Sequence, residues 1–224
     1  MIPKKSICLC ITNYKKEIFL DRAIRSCQSQ LHYNFSIEII VVNDGSKKFN
    51  KHKISKEFPE VKIIDYKKNK GVSYASNRAL FVCKSDYFMR VDADDYIGAK
   101  SSIILTSILD DNPKIPFVYG DILLINKDFN AKKILRNKRE LLLEHGAGIM
   151  FRTKHLKSIN GYDINLKNCE DFDLIIKIEK KYGKGLYVPV AYYKYYKQSI
   201  HHLSNSKNRK FYLKNLRYKY AKYL

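Results

Sequence analysis

Tyr87-Phe88-Met89-Arg90-Val91-Asp92-Ala93-Asp94-Asp95 is the stretch from which the fold is best read. Residues 87–91 make a run of strand length, and it stops on three carboxylates in four positions. Working outward, two earlier runs stop in the same manner. The apolar run 7–11 ends at Thr12-Asn13-Tyr14, and the β-branched run 37–42 ends at Asn43-Asp44-Gly45-Ser46. Between them lie patterns of helical period: Phe19, Leu20, Ala23, Ile24 and Cys27, then residues 73–83. Strands alternating with helices imply βαβ units, an α/β fold and a mainly parallel, Rossmann-like sheet flanked by helices. Ligands of such sheets bind beyond the carboxyl ends of the strands, so all three polar groups are expected along one edge.

The rest of the chain extends this reading. Residues 61–66 read as a further strand, and 99–110 as a helix stopped by Asn112-Pro113. The second half is less regular. Residues 117–126 read as one or two strands. Residues 146–151, with Gly146 and Gly148, read as another that admits close approach of a ligand. Glu170-Asp171-Phe172-Asp173-Leu174 opens a helix with Leu174, Ile175 and Ile178 on its apolar face. Residues 186–200 fit strand or loop, and 207–224 a basic helix. No linker stands out, so the expected organisation is one domain over 1–205 and a basic amphipathic segment over 206–224.

A chain of 224 residues that is 45% hydrophobic can bury a good core. Net charge is +21, from 43 Lys+Arg against 22 Asp+Glu, which attracts anionic partners. The excess is uneven. No acidic residue follows Glu179, and the last 45 residues hold twelve Lys+Arg and ten Tyr. The five cysteines include no CxxC pair, and Cys8, Cys10, Cys27 and Cys83 sit in apolar runs. They read as reduced thiols of a cytoplasmic protein rather than disulfides or zinc ligands. No apolar run reaches the roughly 18 residues a membrane span needs.

Each acidic group has a chemical and a structural reading. The carboxylates at Asp92, Asp94 and Asp95 repel one another, so a cation must offset them. Oxygen ligands at a strand end suit Mg²⁺ or Mn²⁺, which can bridge to a diphosphate. The alternative is a solvated acidic turn capping the next helix. Asp44 can accept from a base or a ribose hydroxyl, or close an Asx-turn. Glu170 and Asp171 form a second acidic pair, able to remove an acceptor proton or merely to cap their helix.

In order and spacing these segments resemble the family 2 glycosyltransferases, which have the GT-A fold. The resemblance rests on Thr12-Asn13-Tyr14, residues 41–46, Asn69-Lys70-Gly71-Val72-Ser73, Asn77-Arg78-Ala79, residues 90–95, Gly161-Tyr162-Asp163 and residues 170–174. It implies an inverting transfer from a nucleotide-sugar donor, commonly a uridine diphosphate sugar, to a glycan or lipid-linked hydroxyl in surface polysaccharide synthesis. Thr12, Asn13, Tyr14, Asp44, Asp92 and Ala93 would then hold the nucleoside. Gly71, Asn77 and Arg78 would approach the diphosphate or sugar. Asp94 and Asp95 would organise Mn²⁺ or Mg²⁺, and Asp171 would be the base, with Glu170 as alternative or sugar contact. Two positions depart from the family pattern. Ser76 stands where members often carry Arg. Tyr196 stands where they often carry His, with His201 and His202 following shortly after.

In 207–224, Leu213, Leu216, Tyr220, Tyr223 and Leu224 recur at helical spacing among basic residues. The segment is expected on an anionic membrane surface at the inner face, or else docked on the core or on a second copy in a homodimer. A sugar-phosphate nucleotidyltransferase would need a glycine-rich phosphate loop, and residues 6–16 contain no Gly. A nucleic-acid binder would not concentrate carboxylates where phosphate must sit. A non-catalytic nucleotide-sugar or polyanion-binding protein is the remaining alternative.

Overall fold

The computed structural model describes residues 5–33, 35–197 and 208–224. Its first strand, β1 (Lys5–Asn13), shows why both sheet faces are covered. Ile7, Leu9 and Ile11 point to one side, Cys8 and Cys10 to the other, and all five are 0% exposed. Such runs belong to strands buried on both faces. The first side packs on α1 (Glu17–Gln28) through Leu20, Ala23, Ile24 and Cys27, and on α4 (Ser101–Asp111) through Leu105 and Leu109. The second side packs on α3 (Val72–Val82) through Ala75, Ala79 and Leu80, and on α7 (Glu170–Tyr182) through Leu174, Ile175 and Ile178.

The other elements are β2 (Phe35–Asp44), α2 (Lys51–Glu57), β3 (Lys62–Tyr66), β4 (Tyr87–Asp92), β5 (Tyr96–Ile97), β6 (Phe117–Ile125), β7 (Ala131–Ile134), α5 (Arg139–Glu144), β8 (Met150–Arg152), α6 (Thr153–Ser158), β9 (Leu186–Tyr196) and α8 (Arg209–Lys219). Among the described residues the sheet has nine strands in the order β3-β2-β1-β4-β8-β6-β9-β5, with β7 paired to β6. β3, β2, β1 and β4 are parallel, as expected. Beyond β4 the sheet is mixed: β8 runs antiparallel to β4 and β6, β9 parallel to β6, and β5 antiparallel to β9.

The strand expected at 146–151 is mostly loop, and only Met150–Arg152 enters the sheet. Gly148 takes φ +68, outside the strand region, and Gly146 presses so closely on Asp171 that a Cβ would lie 2.2 Å from the Asp171 Cβ. The short elements α2, β5, β7, α5 and α6 had no sequence signal of their own.

The first part of the expected C-terminal apolar stripe faces the protein, while Tyr223 and Leu224 at its end are 48% and 53% exposed. Leu216 and Tyr220 are buried with Leu213 packed beside them, in the cluster that contains α7. Asp173, 0% exposed on α7, accepts from Tyr220 Oη at 2.5 Å and Lys219 Nζ at 2.9 Å, and pairs with Lys177 at 2.6 Å. Docking on the core is therefore the reading the structure supports for this stripe. The boundary expected at 205/206 falls outside the described residues.

Candidate active site

The carboxyl ends of β1, β2 and β4 open into a cleft of about 1330 Å³, closed on the other side by α7 and by the loop after α5. Thr12, Asn13, Tyr14, Asp44, Gly71, Asp92, Asp94, Glu170 and Asp171 all line it. The strand-end convergence expected from sequence is realised in one cavity.

At one end, Asp44 holds a loop. Its Oδ1 accepts the Lys70 N–H at 2.8 Å, and its Oδ2 accepts the Gly71 N–H at 2.8 Å and Asn69 Nδ2 at 2.7 Å. A carboxylate offers about four acceptor sites, so little capacity is left for a ligand. Gly71 has φ +96, with open space where a Cβ would stand. The backbone angle is what requires glycine there, and the loop opens to the cleft. Thr12 Oγ1 donates to Asp92 Oδ1 at 3.2 Å, and Asn13 Nδ2 to Asn43 Oδ1 at 3.0 Å. Asn13 Oδ1 is buried without a hydrogen-bond partner among the described residues. Tyr14 is 40% exposed at the rim.

The acidic turn divides its work. Asp94 faces the cleft, with Oδ2 2.9 Å from Lys16 Nζ. Its backbone carbonyl accepts from Arg22 at 2.5 Å, and the Arg22 guanidinium is caged by Tyr196, Tyr96 and Phe19 at 4.5, 4.6 and 5.4 Å. Asp95 turns away and does not line the cleft. It is 1% exposed, and its oxygens accept from Tyr193 Oη at 2.8 Å and the Tyr196 N–H at 2.9 Å. Burial, with Asp92 and Asp94 adding to it, pushes its carboxyl well above the usual range. The two expected metal residues therefore face different ways, and Asp95 ties β9 beneath the turn. Ala93 is also withdrawn, 1% exposed, with its N–H donating to the Thr12 carbonyl at 3.1 Å.

Two expected site residues of α3 lie outside the cleft. Asn77 clamps a neighbouring loop, donating to the Tyr162 carbonyl and accepting the Tyr162 N–H, both at 2.8 Å. Arg78 is exposed beside Tyr66 and Tyr74. The helix offers its first turn, Val72, Ser73 and Ala75, to the cleft, and neither Asn77 nor Arg78 reaches it.

At the other end, Arg90 joins the two acidic groups. Its Nη1 lies 3.0 Å from Glu170 Oε1, its Nη2 2.9 Å from Asp171 Oδ2 and its Nε 3.4 Å from Asp92 Oδ1. Arg90 is 9% exposed. Burial drives the Asp171 carboxyl up to about 7, and the charges of Glu170 and Asp92 push the same way against Arg90. Burial, with Asp94 and Glu170 adding to it, also raises Asp92 against the pull of Arg90.

Sequence reading missed Arg90, Lys16, Tyr195, Lys197 and Arg209, all of which line the cleft. Two-residue alternation along β9 was the available signal for Tyr195, and for Lys197 one residue past the strand's end. It sends Tyr196 to the far side, 5.4 Å from Phe19. His201 and His202 lie outside the described residues. Among the described residues, the one set of three ligand-type side chains within 4.8 Å of each other is Cys8, Glu38 and Cys83. Cys8 is four residues before Thr12 on β1, so this set lies apart from the acidic turn.

The model of the glycosyl transferase family 2 matches residues 6–159. The chain is 28% identical over 188 residues to the minor teichoic acid biosynthesis protein GgaB of Bacillus subtilis (strain 168), covering 76% of this chain and 21% of that protein. It is 25% identical over 187 residues to the chondroitin synthase of Pasteurella multocida (strain Pm70), covering 78% and 19%. The chain thus spans about a fifth of the length of these relatives. The crystal structure of S. aureus TarS 1–349 with UDP-GlcNAc matches with a TM-score of 0.77 at 19% identity, over 90% of this chain and 61% of that one. This likeness shows a shared GT-A fold.

Proposed function

The chain belongs to glycosyl transferase family 2, and on that premise we propose that it is a metal-dependent, inverting glycosyltransferase. Its donor in this reading is a uridine diphosphate sugar, and its acceptor a hydroxyl of a glycan or lipid-linked glycan in surface polysaccharide synthesis. The observation that carries the reading is the meeting of two acidic groups across one cleft. Asp92 and Asp94 stand at the end of β4, Glu170 and Asp171 at the start of α7, and Arg90 lies between them. The names of the teichoic acid and chondroitin relatives support the substrate class, and the complex of the TarS fold with UDP-GlcNAc supports the donor.

Asp94 fits a divalent cation: it presents hard oxygen donors to the cleft, and the negative charge of Asp92 beside it adds to the attraction. Asp94 is the ligand in this reading, and Asp95 keeps the turn in place. When bound, Mn²⁺ or Mg²⁺ supplies a Lewis acid for the departing diphosphate. Thr12, Tyr14 and Asp92 face the nucleoside, and Gly71 lets the loop approach the donor. Asp171 removes the proton of the acceptor hydroxyl, whose oxygen attacks the anomeric carbon. The bond from that carbon to the diphosphate oxygen breaks, and its electron pair leaves with the nucleoside diphosphate. Glu170, held by Arg90, contacts a sugar hydroxyl in this reading.

Calorimetry with a panel of nucleoside diphosphates tests this reading. Binding of uridine diphosphate that strengthens at least tenfold with Mn²⁺ is expected. Absence of binding to every nucleotide, with and without metal, would remove it.

Among the described residues no helix is long and apolar enough to cross a membrane. A peripheral position at an anionic membrane surface draws support from the outer face of α8. Phe211 and Tyr218 are 62% and 87% exposed there, beside exposed Lys210 and Lys214. Reversing both lysines to Glu tests it more cleanly than truncation, because truncation would strip Asp173 of two partners. The double variant should partition less onto anionic vesicles; an unchanged partition excludes the membrane role.

A further inference from the structure

The geometry points to Lys16 as a diphosphate-binding residue whose ammonium rests on the metal ligand Asp94 until donor and cation arrive. We propose this role on the basis of the donor reading above. Three basic side chains surround the acidic turn, and they differ in freedom. Arg90 is shared among three carboxylates. Arg22 is caged by three rings and donates to a backbone carbonyl. Lys16 has a single ion-pair partner among the described residues, the Asp94 Oδ2 at 2.9 Å. Both side chains line the cleft, at 18% and 11% exposure.

The backbone beneath Lys16 is fixed. Lys15 is held at φ +57, with its N–H on Ser46 Oγ at 2.6 Å, and the Lys16 carbonyl accepts the Phe19 N–H at 3.0 Å at the start of α1. The side chain is therefore anchored at its root, and its tip is paired with Asp94 alone among the described acidic residues. A divalent cation binds carboxylate oxygen at about 2.0–2.6 Å. An ammonium on the same oxygen would stand within a few ångströms of that ion and be repelled. A cation taking the Asp94 Oδ2 would accordingly displace the ammonium into the cleft, beside the position the diphosphate takes in the donor reading. A lysine ammonium is a compact charge with three donors, suited to phosphate oxygens. Lys16 would thus serve as counter-charge to Asp94 in the free protein and as counter-charge to the leaving group in the complex.

The two duties have opposite consequences for one substitution. Lys16→Met removes a competitor for Asp94, so Mn²⁺ alone should bind several-fold more tightly, read from the resonance of the free ion. The same variant should bind uridine diphosphate at saturating Mn²⁺ about tenfold more weakly, the scale of one charge-assisted hydrogen bond. Lys16→Arg, which keeps the charge, should keep uridine diphosphate binding within a few-fold and restore the competition. Thermal midpoints of both variants verify that they fold. A merely structural tether would give a different pattern: both affinities would fall in Lys16→Met, because Asp94 would lose its orientation. That result, or no change in either affinity, overturns the assignment. If the unsubstituted protein binds no nucleoside diphosphate, it is the donor reading that fails. If it binds and Lys16→Met binds equally well, only the role of Lys16 fails.

Discussion

Asp171→Asn is expected to lower sugar transfer by about 10²–10⁴-fold, the range that general bases contribute, while uridine diphosphate binding stays within a few-fold. Asp171 stands on the first turn of α7, across the cleft from the turn that carries Asp94. Its carboxyl is driven up to about 7 by burial foremost, and by the neighbouring charges of Glu170 and Asp92. A base poised there takes a proton effectively near neutral pH. The sign of the pH effect follows. Below the carboxyl's pKa Asp171 is protonated and cannot accept, so transfer rises with pH. A cation bound at Asp94 favours the ionised form, so the midpoint of that rise should lie no higher than about 7. Asn is nearly isosteric with the protonated acid, and Arg90 keeps Glu170 and Asp92 as partners. The variant should therefore fold and still bind donor. Initial rates across pH 5–9 with both proteins check this. Turnover within threefold of the unsubstituted protein would move the base elsewhere.

Both the legibility of the fold and its limits follow from local physics. The inner parallel strands β1, β2 and β4 were readable because they are buried on both faces and so spell apolar runs, as in Ile7 to Ile11 and Ile37 to Val42, whereas β3 at the edge showed only as a short β-branched stretch. Their polar ends were readable because strand ends in a parallel sheet share one edge. The mixed half was harder. β5 and β8 span two and three residues, too few for a period to register. The Gly146 loop looked like a strand because small residues next to Ile149 and Met150 resemble one, whereas their smallness serves the contact with Asp171. Within the acidic cluster, sequence could not assign direction. Successive residues in a turn point differently, and only the hydroxyl of Tyr193 and the N–H of Tyr196, about a hundred residues away, show that Asp95 is inward. The same limit hid Arg90. It sits in an apolar strand and would pass for an isolated charge, until α7 brings Glu170 and Asp171 against it.

Arg90→Leu is expected to be the most damaging single change to the site. The guanidinium is the shared partner of three carboxylates that are themselves largely buried, with side chains 32%, 9% and 18% exposed for Asp92, Glu170 and Asp171. Removing one partner of a buried ion pair strands the other charge and costs about 3–5 kcal/mol. For a chain of this length that corresponds to a fall in thermal midpoint on the order of 10 °C. Leu fills most of the space, so the loss would be electrostatic rather than a cavity. Two consequences separate this from general fragility. Asp171 loses the cation that lowers its carboxyl, so the acid limb of any residual transfer should move to higher pH. Pairing Arg90→Leu with Asp171→Asn should also recover part of the lost stability, since one stranded charge disappears. The coupling between the two changes should be about 1–3 kcal/mol, as for residues in one network. Strictly additive losses would mean that Arg90 supports the strand but does not organise the acidic groups. Arg90→Lys should fall between, because an ammonium keeps the charge but lacks the fork that reaches Glu170 and Asp171 together.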